Sequence, residues 1–424
     1  MASYIPRIVD RELDALLADL PALAIEGPRG VGKTTSAVRR AAAVFRLDDP
    51  GQLEVVAADL SRLDAGEGTI VIDEWQRFPA VWDHVRRRVD EGAPPGRYLL
   101  TGSAVPAQAP AHTGAGRIVA IRMRPLSLAE RGLADPTVSL GLLLSGARPP
   151  LAGSATLGLR EYVEEILASG LPGIRHLLGR SRRAQLDGYL ARVVDHDFAE
   201  QGLRVRRPAT LRGWVTAYAA ATATTASYAT LLGAAHPGAA SWPAKTTTAA
   251  YRDVLSRLWL LDPVPGWLPG RGHLSRLTQA PKHHLADPAL SARLLGADEG
   301  ALLRGMPAAP AAPRDGTLLG ALFESLVTMS LRVYAQAHEA TVHHLRTKDG
   351  RHEVDLIIER ADHRILAVEV KLGGVTDGHD VRHLTWLAHE IGEDLLDAIV
   401  VTAGRDAYRR ADGVGVVPAA LLGA

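Results

Sequence analysis

The motif with the most specific chemistry is a glycine-rich run near the amino terminus. The full G-x-x-x-x-G-K-[ST] pattern, with one more threonine after it, is formed by Gly27, Pro28, Arg29, Gly30, Val31, Gly32, Lys33, Thr34 and Thr35. An apolar run at residues 22–25 precedes it and a helical pattern follows, which is the context that the motif requires. Glycines let the backbone wrap around phosphates, and the helix directs its free N–H groups at them. We therefore predict an ATP-binding loop in which Lys33 contacts the outer phosphates and Thr34 coordinates Mg²⁺.

A second apolar run ends in two adjacent carboxylates. Residues 70–72 are Ile-Val-Ile and are followed by Asp73 and Glu74. An acid at the end of a buried strand holds the metal, directly or through water, and its neighbour orients or deprotonates the attacking water. We predict Asp73 as a metal ligand and Glu74 as the catalytic residue of ATP hydrolysis. Thr101 and Ser103 end a third apolar run, where they either sense the terminal phosphate or only form a turn.

The arginine that would complete such a site is not identified by any local pattern. Lysine occupies only five of the 48 basic positions, so 43 are arginine. Arg117 is the first candidate and Arg131 the second. The missing arginine also raises the expectation of a homo-oligomer with sites at its subunit boundaries.

A carboxylate pair and a lysine predict a second site near the carboxyl end. Asp355 lies in one apolar run, and Glu369 and Lys371 lie in the next, joined by a polar turn at residues 359–364. In a hairpin, Glu369 and Lys371 point to the same sheet face, which Asp355 reaches in a suitable register. Asp355 and Glu369 are predicted metal ligands, and Lys371 would position water or stabilise charge. Glu324 on a preceding helix is a further carboxylate; the alternative is an ordinary solvated surface pair.

The middle of the chain has a weaker pattern that is typical of DNA-binding proteins. Nine arginines against four acids lie between Arg175 and Arg212. Helical patterns at residues 211–232 and 245–261 flank a turn at 236–238, and the second would be a recognition helix that begins at Lys245. Packing of an ordinary helix pair explains this pattern equally well.

The elements that must position these residues indicate an α/β fold class. Apolar runs at 22–25, 68–72, 98–103 and 117–121 alternate with helical patterns, which predicts a P-loop parallel sheet. The Pro/Ala-rich segment 306–313 is a predicted linker, followed by a helix at 318–335 and strands at 354–358, 365–371 and 398–402. The predicted domains are residues 1–140, 141–305 and 306–424.

Composition limits the class of protein further. Of 424 residues, 47% are hydrophobic, none is cysteine, and the formal net charge is +1. The lack of cysteine excludes a disulfide framework and a thiolate metal site. The small net charge means that the protein as a whole does not attract nucleic acid electrostatically. We see no run of about 18 apolar residues. The expectation is therefore a soluble cytoplasmic protein with no membrane partner.

Taken together, these segments resemble a bacterial and archaeal family of P-loop ATPases. Its members carry an AAA-like amino-terminal domain (AAA_14 type) and a carboxy-terminal DUF4143 region. The matching segments are residues 27–35, 72–79, 100–103, 116–118 and 124–130. Residues 189–197 are similar to the start of the DUF4143 region, and residues 281–290 to its characteristic segment before the last domain. The resemblance implies a helical lid, a winged-helix middle at 141–305 and an endonuclease-like end of the PD-(D/E)-x-K type.

Two functions remain open from the sequence. The first is a Mg²⁺-dependent ATPase that acts on DNA or a DNA-associated partner, with metal-dependent nuclease activity at Asp355, Glu369 and Lys371. The second is a nucleotide-switched DNA-binding regulator, or an antitoxin-like protein, whose nuclease-like domain is inert.

Overall fold

The computed structural model describes residues 4–104, 115–235, 244–268, 280–304, 317–374 and 376–424. An α/β unit forms the amino-terminal part, helices form the middle, and a second α/β unit forms the carboxy-terminal part. The predicted linker at 306–313 and the predicted turn at 236–238 lie outside the described residues.

The amino-terminal unit is built on a parallel sheet in the order β2-β3-β4-β1-β5. Its strands are β1 (Ala22–Glu26), β2 (Ala43–Arg46), β3 (Ile70–Asp73), β4 (Tyr98–Gly102) and β5 (Val119–Arg122). Its helices are α1 (Val9–Asp19), α2 (Lys33–Val38), α3 (Pro50–Ala58) and α4 (Ala80–Asp90). The parallel sheet confirms the prediction from continuous apolar runs, since β1, β3 and β4 are buried along almost their whole length.

The carboxyl ends of these strands meet at one edge of the sheet. Asp73 pairs with Thr101 across β3 and β4, and Glu26 pairs with Arg122 across β1 and β5. The loop after β1 therefore faces the ends of its neighbours. The helix predicted after the loop is short, since α2 ends at Val38, and β2 is a half-buried edge strand that was not predicted.

The middle unit is helical, with one short strand, β6 (Val138–Ser139), before its first helix. Its helices are α5 (Leu140–Leu144), α6 (Leu159–Ala168), α7 (Pro172–Arg175), α8 (Gly179–Arg192), α9 (Phe198–Glu200), α10 (Pro208–Ala220), α11 (Tyr228–Ala235), α12 (Lys245–Arg257), α13 (Pro288–Leu294) and α14 (Glu299–Leu303). One π-helical turn (Val193–Asp197) joins α8 to α9.

The single helix predicted at residues 211–232 was wrong, because two helices occupy this region. The hydroxyls of Thr222 and Thr224 donate to the backbone carbonyls three residues earlier, each at 2.7 Å. Ala223 between them has a φ of 59°, and its N–H donates to the carbonyl of His283. These bonds replace the helical ladder, so α10 ends before this turn and α11 begins after it.

The carboxy-terminal unit contains α15 (Leu318–Gln336), β7 (Thr341–Arg346), β8 (Glu353–Glu359), β9 (Ile365–Lys371), α16 (Arg382–Ile391), β10 (Leu395–Thr402), β11 (Tyr408–Arg409), β12 (Gly415–Pro418) and β13 (Leu422–Gly423). Its main sheet has the order β11-β12-β10-β9-β8-β7. The predicted β8–β9 hairpin is confirmed as an antiparallel pair, and β10 lies parallel to β9 after the α16 crossover. Strands β7, β11 and β12 were not predicted.

The last strand returns to the beginning of the middle unit. β13 pairs in parallel with β6, and the backbone N–H of Ala420 donates to the Tyr162 hydroxyl at 2.9 Å. The Tyr162 ring packs edge-on against Phe323 of α15, so one buried cluster spans the middle and carboxy-terminal units.

Helix α15 has the length and apolar composition of a membrane-spanning helix, although Glu324 and Arg332 interrupt its apolar sequence. Within the protein, however, 83% of its 18-residue apolar window is buried. Its apolar surface is therefore used in the core between the middle and carboxy-terminal units.

Candidate nucleotide site and carboxylate cluster

Three glycines give the loop after β1 a shape that other residues rarely adopt. Gly27, Gly30 and Gly32 have φ values of 154°, 77° and 108°. A Cβ atom at Gly27 would lie 2.2 Å from the carbonyl oxygen of Met123, whereas one at Gly30 would meet no atom within 4 Å. The loop thus needs glycine at residue 27 for space as well as for its dihedral angles.

The ammonium of Lys33 lies inside this loop at the start of α2. Its Nζ donates to the carbonyls of Gly27 at 2.8 Å and Pro28 at 2.9 Å. The side chain is buried, and burial lowers the pKa of Lys33 to about 8. A buried cation at the first turn of a helix after a glycine loop is the arrangement that binds phosphates.

Arg7 fixes the rear of the loop through three buried contacts. Its Nη1 donates to the carbonyl of Val31 at 2.9 Å, and its Nη2 donates to the carbonyl of Arg124. Its Nε pairs with Glu130 at 3.1 Å. Since both charges are buried and share several hydrogen bonds, this contact holds the loop against the segment after β5.

The hydroxyl of Thr34 donates to Asp73 Oδ1 at 2.7 Å. Thr101 donates to the same carboxylate oxygen, so two elements point their hydroxyls at the end of β3. Asp73 is itself buried. A hydroxyl and a carboxylate in contact beside the phosphate loop are a suitable donor set for Mg²⁺.

Glu74 adopts a left-handed backbone conformation with φ 55° and ψ 43°. Its Oε2 accepts a hydrogen bond from Ser103 Oγ at 2.8 Å and another from Gln76 Nε2. A non-glycine residue in this region is uncommon and is retained where its side chain must point in a particular direction. The structure thus places the predicted phosphate sensors Thr101 and Ser103 on the two carboxylates Asp73 and Glu74.

Arg29 points away from the loop and toward the π-helical turn. Its guanidinium lies 3.2 Å from Asp197 and 3.4 Å from Glu200. A cleft of about 480 Å³ opens here between the amino-terminal and middle units. Its walls include Arg29, Gln76, Arg77, Glu200, Gln201 and Leu258. The exposed Thr35 lies one residue beyond Thr34 in α2.

Neither arginine proposed from the sequence reaches the phosphate loop within this chain. Arg117 precedes β5, at the opposite edge of the sheet, and pairs with Asp90 at 2.8 Å. Arg131 is fully buried and bound to Glu165 at 2.9 Å and to two backbone carbonyls. Arg131, the second candidate, is therefore a structural residue within this chain.

Sequence reasoning missed Arg122, which ends β5 at the phosphate-loop edge. Its guanidinium stacks over the Trp259 ring, 3.9 Å from the ring centre. Burial lowers the pKa of Arg122 to about 10, and its charge in turn lowers the pKa of Lys33. Its Nε and Nη1 are buried without a hydrogen-bond partner among the described residues.

The predicted residues of the second site converge beside a cavity of about 180 Å³. Asp355 Oδ2 accepts from the Val370 backbone N–H at 3.0 Å, and Lys371 donates to Glu369 Oε2 at 3.0 Å. Burial, and then the charge of Asp355, raise the pKa of Glu369 well above its usual value. Glu324 of α15 lines the same cavity as Asp355 and Lys371.

A residue that the sequence did not assign to this site lies at its centre. The fully buried Lys282 places its Nζ 2.7 Å from Glu324 Oε1 and 3.1 Å from Asp355 Oδ1. Burial alone would raise the pKa of Asp355, but the charges of Lys282 and Lys371 outweigh it and lower that pKa. The cluster therefore contains two ammonium groups instead of the one predicted.

Profiles of three domain families match the chain. That of the AAA domain matches residues 19–131, and that of a domain of unknown function (DUF4143) matches residues 319–422. The chain thus contains an amino-terminal segment that matches the AAA domain and a carboxy-terminal segment that matches DUF4143. A second domain of unknown function (DUF8612) matches residues 159–301. The resemblance seen in the sequence had led us to expect this region to be part of DUF4143.

Two uncharacterized mycobacterial proteins are similar to the chain over most of its length. One is from Mycobacterium bovis and one from Mycobacterium tuberculosis; each is 26% identical over 345 residues, which cover 80% of this chain and 68% of the relative. A Walker-type ATPase of Pyrococcus abyssi aligns with 67% of this chain and 94% of its own, at 13% identity and a TM-score of 0.37. That likeness is too weak to establish a shared fold.

Proposed function

We propose that the AAA domain binds ATP with Mg²⁺ and hydrolyses it, and that this nucleotide cycle acts on DNA or on a DNA-associated partner. The observation that carries the first half is the 2.7 Å contact between Thr34 and Asp73 above the buried Lys33. It brings the phosphate-binding and metal-binding groups together at one edge of the sheet.

The roles of these residues follow from their chemistry. Lys33 neutralises the outer phosphates, and the Thr34 hydroxyl and the Asp73 carboxylate supply oxygen ligands for Mg²⁺. Glu74 orients the attacking water and accepts its proton, while Ser103 holds its carboxylate in place. The bound metal supplies charge stabilisation to the phosphates during their cleavage.

The proposal of a DNA partner is supported by the charge and order of the middle unit. The arginines of α8 and of the segment before α10 that the structure exposes are Arg180, Arg183, Arg192, Arg204, Arg206 and Arg207. Helices α10, α11 and α12 are followed by two extended segments that pair at residues 261 with 285 and 264 with 282. Three helices and an antiparallel pair agree with the winged-helix expectation.

For the carboxy-terminal domain, the order helix, three strands, helix and strand supports a nuclease-like fold, as do the converging Asp355, Glu369 and Lys371. The contact of Lys282 with Asp355 favours the second of the two functions that the sequence left open. We therefore propose a nucleotide-switched protein whose nuclease-like domain does not cleave DNA.

The proposed ATP site is tested with Lys33→Ala, measuring affinity for a fluorescent ATP analogue and phosphate release. Wild type should bind and hydrolyse ATP. In the variant the turnover rate should fall at least about 100-fold, because a preorganised cation is removed from the phosphates. Equal affinity and turnover in both proteins would refute the site.

The DNA half is tested separately, by fluorescence anisotropy with a labelled duplex at several salt concentrations. Affinity should fall steeply with salt, because phosphate contacts release counterions. Absent or salt-insensitive binding contradicts direct action on DNA. Plasmid incubated with Mg²⁺ or Mn²⁺ should stay intact, and cleavage that is lost in both Asp355→Ala and Lys371→Ala would establish the nuclease instead.

A further inference from the structure

Lys282 holds its ammonium between Asp355, a predicted metal ligand, and Glu324, the further carboxylate of this cluster. Besides Glu324 at 2.7 Å and Asp355 at 3.1 Å, it lies 3.7 Å from Glu353 Oε1. Its side chain has no exposed surface, while Asp355 and Glu324 are nearly buried. These three carboxylates therefore share one buried cation, which pairs most closely with Glu324 and Asp355.

Both carboxylate oxygens of Asp355 already accept a hydrogen bond. Its Oδ1 accepts from Lys282 and its Oδ2 accepts from the backbone N–H of Val370 at 3.0 Å. A divalent ion requires carboxylate oxygens within about 2.0–2.6 Å. Such an ion between Asp355 and Glu324 would coincide with the ammonium of Lys282 and would be repelled by its charge. An ion shared by Asp355 and the predicted ligand Glu369 would also lie beside this ammonium, which is 3.1 Å from Asp355 Oδ1. The residues therefore do not fit the metal that a D-E-x-K cluster implies.

We infer that Lys282 is a tethered cation that replaces the divalent metal of the carboxy-terminal site, so that this site excludes Mg²⁺ and Mn²⁺. The inference rests on the proposed function only in treating the domain as nuclease-like. It supplies a physical reason for the proposed lack of cleavage: an ammonium stands where the metal would polarise a phosphate and activate water, and it offers no coordination position to either.

The backbone holds Lys282 firmly in this position. Its N–H and its carbonyl both bond to Val264, each at 2.9 Å, in the extended pair that follows α12. The neighbouring His284 ring contacts Ser325 of α15 at 3.2 Å. The backbone of Lys282 thus enters the cluster from the middle unit on a segment held by this pairing.

The residue type is a second, independent observation. Only five of the 48 basic residues are lysine, and Lys282 is fully buried. A compact ammonium with three donors can replace a metal ion between carboxylates, whereas the broad planar guanidinium of arginine cannot. Retention of lysine here agrees with a position that only a small cation can fill.

The test is Mn²⁺ binding measured by electron paramagnetic resonance on nucleotide-free, full-length protein. Asp73→Asn serves as the background, because Asp73 is the metal-binding carboxylate of the ATP site. Lys282→Met is compared with Lys371→Met, which removes the other ammonium of the cluster. Each is repeated with Asp355→Asn added, and thermal unfolding is followed with and without Mn²⁺.

The Asp73→Asn protein should bind Mn²⁺ no better than the same protein with Asp355→Asn. Lys282→Met should gain one Mn²⁺ per chain, with affinity raised at least about 100-fold because the repelling charge is gone, and Asp355→Asn should abolish the gain. If Lys282→Met is unstable alone, Mn²⁺ should raise its midpoint of unfolding. Lys371→Met should gain little, because Lys371 contacts Glu369 rather than the Asp355–Glu324 pair.

Stoichiometric Mn²⁺ binding before any change at Lys282, lost with Asp355→Asn, would overturn the inference. So would a Lys282→Met protein that neither binds Mn²⁺ nor is stabilised by it. ATP binding by wild type is measured on the same preparation. Failure there with the metal result intact would contradict the proposed ATP site alone.

Discussion

The guanidinium of Arg122 lies 3.9 Å from the centre of the Trp259 ring, and its Nη2 donates to the Trp259 carbonyl at 3.3 Å. Trp259 has a φ of 59°, a strained value for an aromatic residue. Three residues further on, Asp262 binds Arg124 at 2.8 Å and Arg332 of α15 at 3.3 Å. These contacts run from the phosphate-loop edge through the middle unit to the carboxy-terminal unit.

Arg122 is predicted to act on the terminal phosphate of ATP. Two of its guanidinium nitrogens are buried without a hydrogen-bond partner among the described residues, and its positive charge lowers the pKa of Lys33. Arg122→Gln should lower ATP turnover about 100-fold, as loss of one preorganised donor does, measured by steady-state phosphate release. Arg117→Gln is the matched comparison. If it lowers ATP turnover and Arg122→Gln does not, Arg117 rather than Arg122 acts on the phosphate.

The two glycines at the start of the loop should differ in their tolerance of alanine. In Gly27→Ala the new methyl would lie 2.2 Å from the Met123 carbonyl, so the loop must shift and nucleotide affinity should be lost. In Gly30→Ala only the positive φ is strained, at a cost of about 1–2 kcal/mol. Isothermal titration with ATP measures both, and equal effects would contradict the loop geometry.

ATP binding should take up protons at mildly alkaline pH. Burial lowers the pKa of Lys33 to about 8, so the free protein loses this proton as pH rises through 8, whereas bound phosphates favour the charged form. Affinity should therefore fall above about pH 8, with uptake of about half a proton at pH 8 and almost none below about pH 7. Titration calorimetry in buffers of different ionisation enthalpy measures this uptake.

Lys33→Arg is the control for that experiment, because arginine remains charged over the whole range. It should show no linked uptake if it binds ATP. Pronounced uptake in Lys33→Arg, or affinity that is constant from about pH 7 to 9 in wild type, would show that Lys33 does not titrate in the free protein.

The sequence predicted what is local and missed what is brought together only by folding. The phosphate loop, Asp73 with Glu74, and the Glu369–Lys371 pair each lie within a few residues, so local patterns are enough to group them. Arg122 has no distinguishing neighbour among 43 arginines, since its position depends on Trp259, 137 residues away. A strand with an arginine at its carboxyl end beside a phosphate loop is the signal that could have identified it.

Lys282 shows the same limit more sharply. It is 73 residues from Asp355 and 42 from Glu324, in a different unit of the chain. In the sequence, Lys282 stands out only because lysine is rare in this chain. That rarity does not indicate which residues it contacts. Similarly, the two-helix break at Thr222–Thr224 depends on a backbone bond to His283, which no local pattern indicates.

The central claim, ATP hydrolysis at the edge formed by β1, β3 and β4, is tested most directly by Glu74→Gln. The amide preserves the shape and the hydrogen bond from Ser103 but cannot accept a proton from water. In single-turnover experiments with Mg²⁺, the variant should bind ATP as tightly as wild type and cleave it about 10²–10⁴ times more slowly. Unchanged cleavage in Glu74→Gln, or no cleavage by wild type, would contradict the account.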